Sequence, residues 1–137
     1  MPPATGRLVG IFCTAHSPGI TGFPERVEPA QRKAVESAFV EVRDRIAALH
    51  PDALVVVSVD HFSNFSLAQM PAFAICTAED YLGPISAEMG QVLRIDPHRY
   101  PGAASLGRHL YGFALESDFD PSLVEGGMAF DENFCVP

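Results

Sequence analysis

An α/β fold, a three-layer sandwich around a mostly parallel central sheet, is predicted by three stretches of this sequence. Residues 7–14 (RLVGIFCT) and 53–59 (ALVVVSV) are short apolar runs, the second mostly β-branched, a composition that suits strands buried on both faces. Between them lies a long segment whose apolar residues recur at helical spacing. Strand, helix and strand in that order make a βαβ unit, and a right-handed crossover leaves the two strands parallel. At 137 residues the chain is expected to form one domain, residues 1–137, with a core of its own.

The first run is bounded by Gly6 and by Ala15-His16-Ser17-Pro18-Gly19, so His16 falls just beyond a strand end. Residues 20–29, rich in Gly, Pro and charge, read as a loop. Pro29 suits the first turn of a helix, with Glu25 and Glu28 on the side its dipole favours. Val35, Ala38, Phe39, Val42, Ile46 and Leu49 then form one apolar stripe, and Arg32, Lys33, Glu36, Arg43 and Asp44 occupy the other faces. Glu41 and Arg45 make an i,i+4 pair. His50-Pro51 ends the helix, because the residue before proline is pushed out of the α region, and His50 reads as a partner of the C-terminal dipole.

The second run stops at Asp60-His61, followed by the turn residues Ser63 and Asn64. Residues 72–77 (AFAICT), after Met70-Pro71, predict a third strand. Residues 78–97 have no clean period; Gly83-Pro84 and Asp96-Pro97 mark turns, and 85–95 suits a short helix or a strand. Residues 103–115 predict a second helix with Leu106, Leu110, Phe113 and Ala114 on one face. His98, in a proline-rich loop, and His109, on the polar side of that helix, read as solvated. Residues 123–130 suit a further strand interrupted by Gly126-Gly127, with Asp131-Glu132-Asn133 at its end.

Composition excludes several classes. Hydrophobic residues at 47% against 19% charged argue against a disordered chain. A formal net charge of −8, with the basic residues scattered, argues against a nucleic-acid partner. Cys13, Cys76 and Cys135 are odd in number and widely spaced, which suggests neither a disulfide framework nor a thiolate zinc site and fits a reducing cytoplasm. The apolar run at 8–13 is too short for a membrane span and lacks the features of a signal peptide, so no membrane partner is expected.

Parallel strands share one carboxyl edge, and in α/β proteins ligands bind there. His16 and His61, far apart in sequence, are thereby expected on the same side of the sheet. Neutral imidazoles suit Zn, Cu, Fe and Ni, and two of them with one carboxylate and open positions make the facial triad of non-haem Fe(II) oxygenases. The same spacing equally suits two hydrogen-bonded strand-end histidines. Asp60, if strand alternation persists, points away from His61 and reads as a supporting carboxylate rather than a third ligand.

The order His16-Ser17-Pro18, Asp60-His61-Phe62 and Met70-Pro71-Ala72-Phe73-Ala74-Ile75 resembles the N-terminal half of the class III extradiol ring-cleavage dioxygenases, the family of the catalytic β subunits of protocatechuate 4,5-dioxygenase and similar enzymes. The resemblance extends through Phe119-Asp120, Phe130-Asp131 and Val136-Pro137. It implies Fe(II) held by two histidines, matching His16 and His61, and by a glutamate. It also implies a catecholic substrate opened by O2 next to one hydroxyl, and an oligomer, sometimes with a small helical second subunit over the active site.

Two departures bear on function. The family commonly carries Asp-His-Gly where this chain has Asp131-Glu132-Asn133, so Glu132 stands where a proton-transferring histidine would be. It reads either as a substitute acid or base or as an ordinary strand-end carboxylate. The family's glutamate ligand and another histidine come from a C-terminal half that has no counterpart in this sequence, leaving Glu132 or Glu79 to close the triad. The sheet is accordingly expected to be open at its C-terminal edge, in a fragment or in a half that pairs with another chain. This chain alone is expected to be weakly active or inactive, and ring cleavage by it with Fe(II) and a catechol would overturn that. The alternatives are a non-catalytic metal- or ligand-binding homologue of the same fold and a zinc hydrolase.

Overall fold

The computed structural model describes residues 6–136, apart from the side chains of Glu132 and Asn133. Pro137, the last residue of the family landmarks, lies outside the described residues. In chain order the elements are helix α1 (Gly19–Gly22), a 3-10 turn (Pro24–Arg26), α2 (Pro29–Leu49), strands β1 (Ala74–Cys76) and β2 (Asp80–Gly83), α3 (Ala87–Leu93), β3 (His98–Pro101), α4 (Ala104–Glu116), β4 (Ser122–Val124) and α5 (Glu132–Cys135). They make a mixed α/β structure with a small parallel sheet, an antiparallel strand pair and flanking helices.

Helix α2 forms where its periodicity predicts. The Glu28 carboxylate accepts from the N–H groups of Ala30 and Gln31 at 2.9 and 3.1 Å, satisfying two of the donors a helix start leaves open. At the other end His50 leaves the right-handed region for a left-handed conformation, φ 46°, and donates its N–H to Ala47 O. Phe39, Val42 and Ile46 are its half-buried side. Arg32–Glu36 at 2.7 Å and Arg45–Glu41 at 2.5 Å lie in solvent, where such pairs contribute only a few tenths of a kcal/mol.

The core sits in the second half of the chain. β1 runs parallel to β4, with Ala74 opposite Ser122 and Cys76 opposite Val124. Helix α4 packs on β1 through Gly107, where a Cβ would stand 3.0 Å from Cys76 O. At Gly102 a Cβ would lie 2.0 Å from Ala78 O, so only glycine admits the turn in which Gly102 N donates to Glu79 O. Ala78, Ala104 and Thr77 are buried around these contacts, and Leu93 is fully buried at the end of α3. The β2–β3 ladder, Asp80 opposite Pro101 and Gly83 opposite His98, has no counterpart in the sequence reading. Its strands are joined through α3 rather than by a tight turn, so no hairpin signal precedes it. His98 belongs to β3, edge-on to Tyr100, and like His109 it is exposed.

Residues 7–14 and 53–59 depart from the expected buried strands. Neither run is a strand, and both are exposed rather than buried: Leu8 is 76% exposed, Ile11 77% and Val57 93%. The expected βαβ sheet is therefore not formed among the described residues. A strand buried on both faces needs ladder partners and a layer on each side. Here the first run has α2 beside it, with Leu49 close enough to Gly10 that a Cβ there would meet it at 2.8 Å, but no strand alongside among the described residues. No helix among the described residues is long and apolar enough to cross a membrane.

Candidate metal centre

His16 and His61 meet although the sheet expected to align them is not formed. Their ring centres lie 5.2 Å apart with the planes inclined at 45°. Two imidazoles on adjacent positions of one metal ion, each bonded at about 2.1 Å, put their ring centres roughly 5 Å apart, a separation that the pair matches.

Each histidine is held by local structure. His16 is half-buried and leads into α1, whose start is fixed by Ile20 N donating to Ser17 O and Gly22 N to Pro18 O, both at 3.0 Å. Gly22 in turn lies against α3; a Cβ there would stand 2.4 Å from Val92 O. His61 is in a tight turn closed by Ser63 N donating to Asp60 O at 3.0 Å. Both central residues, His61 (φ 52°) and Phe62 (φ 61°), are left-handed, a conformation that costs a non-glycine residue on the order of 1 kcal/mol or more and persists only when surrounding contacts hold it.

Asp60 provides that hold. Its carboxylate accepts from Asn64 N at 3.0 Å, Phe65 N at 2.9 Å and Asn64 Nδ2 at 2.6 Å. Burial alone would raise its pKa, but the hydrogen bonds from Asn64 and Phe65, with the neighbouring His61, outweigh it and hold the carboxyl below its ordinary value. A depressed carboxylate stabilises the fold fully above the unfolded-state value of about 3.9 and loses that contribution as pH falls through the folded-state value. The urea midpoint is therefore expected to drop between pH 5 and pH 3, and to drop less in Asp60→Asn. Equal slopes would show that Asp60 does not carry the effect.

Asn64 extends the network to the far end of the chain. Its side-chain amide donates to Ala129 O at 3.0 Å and accepts from Ala129 N at 3.1 Å, as a neighbouring strand would. On its other side this segment follows β2, with Phe130 N donating to Leu82 O at 3.0 Å. Phe134 of α5 packs against Tyr81, Tyr100 and Phe130, with ring centres 6.2, 5.0 and 4.7 Å away. Tyr81 is pushed up to about 12, by burial first and then by the Cys76 thiol, so it stays protonated and donates to Cys76 O at 3.2 Å.

Between the clamp and the aromatic cluster stands Asp131, 5% exposed. Ser63 Oγ donates to its Oδ2 at 2.7 Å, and its Oδ1 lies 3.5 Å from His61 Nδ1. Asp131, Asn64 and Ser63 are the residues that sequence reasoning did not assign to the site. The available signal was the Phe130-Asp131 pair at the end of an apolar run, a place where a carboxylate is costly unless it is partnered.

Among the described residues no third His, Cys, Asp or Glu joins the two histidines in a metal-binding group. Glu79 faces Arg108 instead, at 3.8 Å, and is largely exposed. The Glu132 side chain lies outside the described residues. A hollow of about 350 Å³ begins at Ser17, beside His16, and runs past Phe23 and Val35. A second, of about 790 Å³, begins at Phe62, beside His61, and reaches Pro71.

The profile of a family described as the catalytic LigB subunit of aromatic ring-opening dioxygenase matches residues 10–137. The chain belongs to this family. Among curated relatives, this LigB-family chain is 30% identical over 117 residues to a 2,3-dihydroxyphenylpropionate/2,3-dihydroxicinnamic acid 1,2-dioxygenase of Cupriavidus necator, covering 84% of this chain and 34% of the relative. A protein of the same name from Escherichia coli is 30% identical over 84 residues, 60% of this chain and 26% of its own length. The LigB-family chain thus spans about a third of the length of the curated relatives it matches. No solved structure matches it.

Proposed function

We propose that this chain carries two of the three metal ligands of a non-haem Fe(II) extradiol dioxygenase, His16 and His61, within a longer or multi-chain α/β sandwich of three layers. The observation that carries the reading is the approach of the two imidazoles to 5.2 Å across a long sequence separation. Fe(II), when bound, supplies the Lewis acidity and one-electron chemistry through which O2 reacts with a catecholic ring.

The chain's own residues bind, orient and enclose. His16 and His61 hold two coordination positions, and the Asp60–Asn64 turn fixes the second histidine. The mostly apolar hollow beside Ser17 has a volume suited to a small aromatic ring. The names of the relatives support a catechol with a carboxylated side chain as the substrate class. Glu132, next in sequence to Asp131, is the carboxylate proposed to move protons where the family commonly has histidine. The third ligand is assigned to another segment or subunit, in keeping with an oligomer. Three cysteines without a disulfide among the described residues favour the cytoplasm. A non-catalytic homologue is the second reading, favoured by the missing third donor among the described residues.

Anaerobic titration with Fe(II), followed by nitric oxide as an O2 surrogate and then a catechol, tests the reading. One iron per chain and a nitrosyl signal altered by catechol are expected. Iron binding with a signal indifferent to catechol would favour the non-catalytic homologue.

A further inference from the structure

We infer that Asp131 is a positioning residue for His61, fixing which imidazole nitrogen faces the metal. The inference rests on the proposed role of His61 as a ligand. Asp131 is buried, and a buried carboxylate persists only where partners compensate its lost hydration. Ser63 Oγ provides one partner at 2.7 Å, and the other oxygen is turned to His61 Nδ1 at 3.5 Å. That distance lies within electrostatic reach and is somewhat long for a hydrogen bond.

An acceptor facing Nδ1 favours the tautomer that carries its proton there, and this leaves Nε2, on the opposite side of the ring, as the basic nitrogen. Carboxylates that orient metal-binding histidines act in this way. The carboxylate is itself held from both sides. Asn64 clamps Ala129 on one side and β2 holds Phe130 on the other, so the carboxylate and the histidine belong to two segments stapled by the same asparagine. The arrangement also accounts for a left-handed His61, since the turn brings the ring to the carboxylate.

The test uses the full chain, the shape-conserving Asp131→Asn, Asp131→Ala, and Ser63→Ala as a milder variant should Asp131→Ala not fold. Side-chain nitrogen NMR of the metal-free protein reads the His61 tautomer, and anaerobic Fe(II) titration reads affinity. The expected result is a fall in the Nδ1–H population at His61 in Asp131→Asn, with the His16 imidazole unchanged, and an Fe(II) affinity about 10- to 100-fold weaker. Ser63→Ala is expected to move both readouts in the same direction by less. An unchanged His61 tautomer in folded Asp131→Asn would overturn the inference, even if affinity fell, because the role would then be structural only. A shifted tautomer with unchanged affinity would overturn it too. If the wild-type chain binds no Fe(II), the metal reading fails, and the tautomer alone still decides whether Asp131 orients His61.

Discussion

Alanine in place of His16 or of His61 is expected to weaken Fe(II) binding by at least about 100-fold, close to 3 kcal/mol. In the proposed site each imidazole is one of two protein donors, their ring centres 5.2 Å apart, and removing either would leave a single donor against water. The losses should be similar in the two variants and should not add in the double variant, since two groups that chelate one ion act as a unit. His109→Ala, on the exposed side of α4, should bind as the wild type does. Anaerobic titration with a chromogenic competitor checks all four proteins. Affinity indifferent to both histidines would remove the metal from this end of the molecule.

Leu93→Ala is expected to cost about 2–5 kcal/mol of stability, the range for removing most of a fully buried leucine. Leu93 has no exposed surface, and it closes α3 where that helix meets Gly22 at the end of α1. Because α1 is the support behind His16, the same substitution should also lower Fe(II) affinity, by less than His16→Ala does. Leu93→Met conserves volume and should recover most of both losses, costing under about 1.5 kcal/mol. Urea denaturation and iron titration on the two variants separate the outcomes. Lost stability with intact affinity would mean that the His16 turn holds without α3.

Local signals were legible where they were strong. Helix α2, its proline start and its end at His50, and α4 within a residue or so, followed from periodicity and capping chemistry. Residues 72–77 contain β1, and the 123–130 run begins in its parallel partner β4. The pairing of the histidines was legible too, though not by the route inferred. It was expected from a shared sheet edge, and it is met instead by the turn after Asp60 and the packing behind α1. What escaped the sequence is long-range. Burial of residues 7–14 and 53–59 depends on neighbours that composition cannot supply, and β2–β3 pairs across an intervening helix. The clamp from Asn64 to Ala129 and the seat of Asp131 join residues that no local pattern links.

The exposed run from Leu54 to Val59 has a consequence for the chain in concentrated solution. It is β-branched, apolar and free of charge and proline, and Leu54, Val55, Val56, Val57 and Val59 are all more than half exposed. Such a segment can zip against copies of itself into a cross-β stack. Asp52 and Asp60 bracket it, and in an in-register stack each would meet its own like charge in the next copy. In such a stack the carboxylate that holds the His61 turn would also oppose fibril growth, and acid that protonates it would loosen the turn and lift that repulsion together.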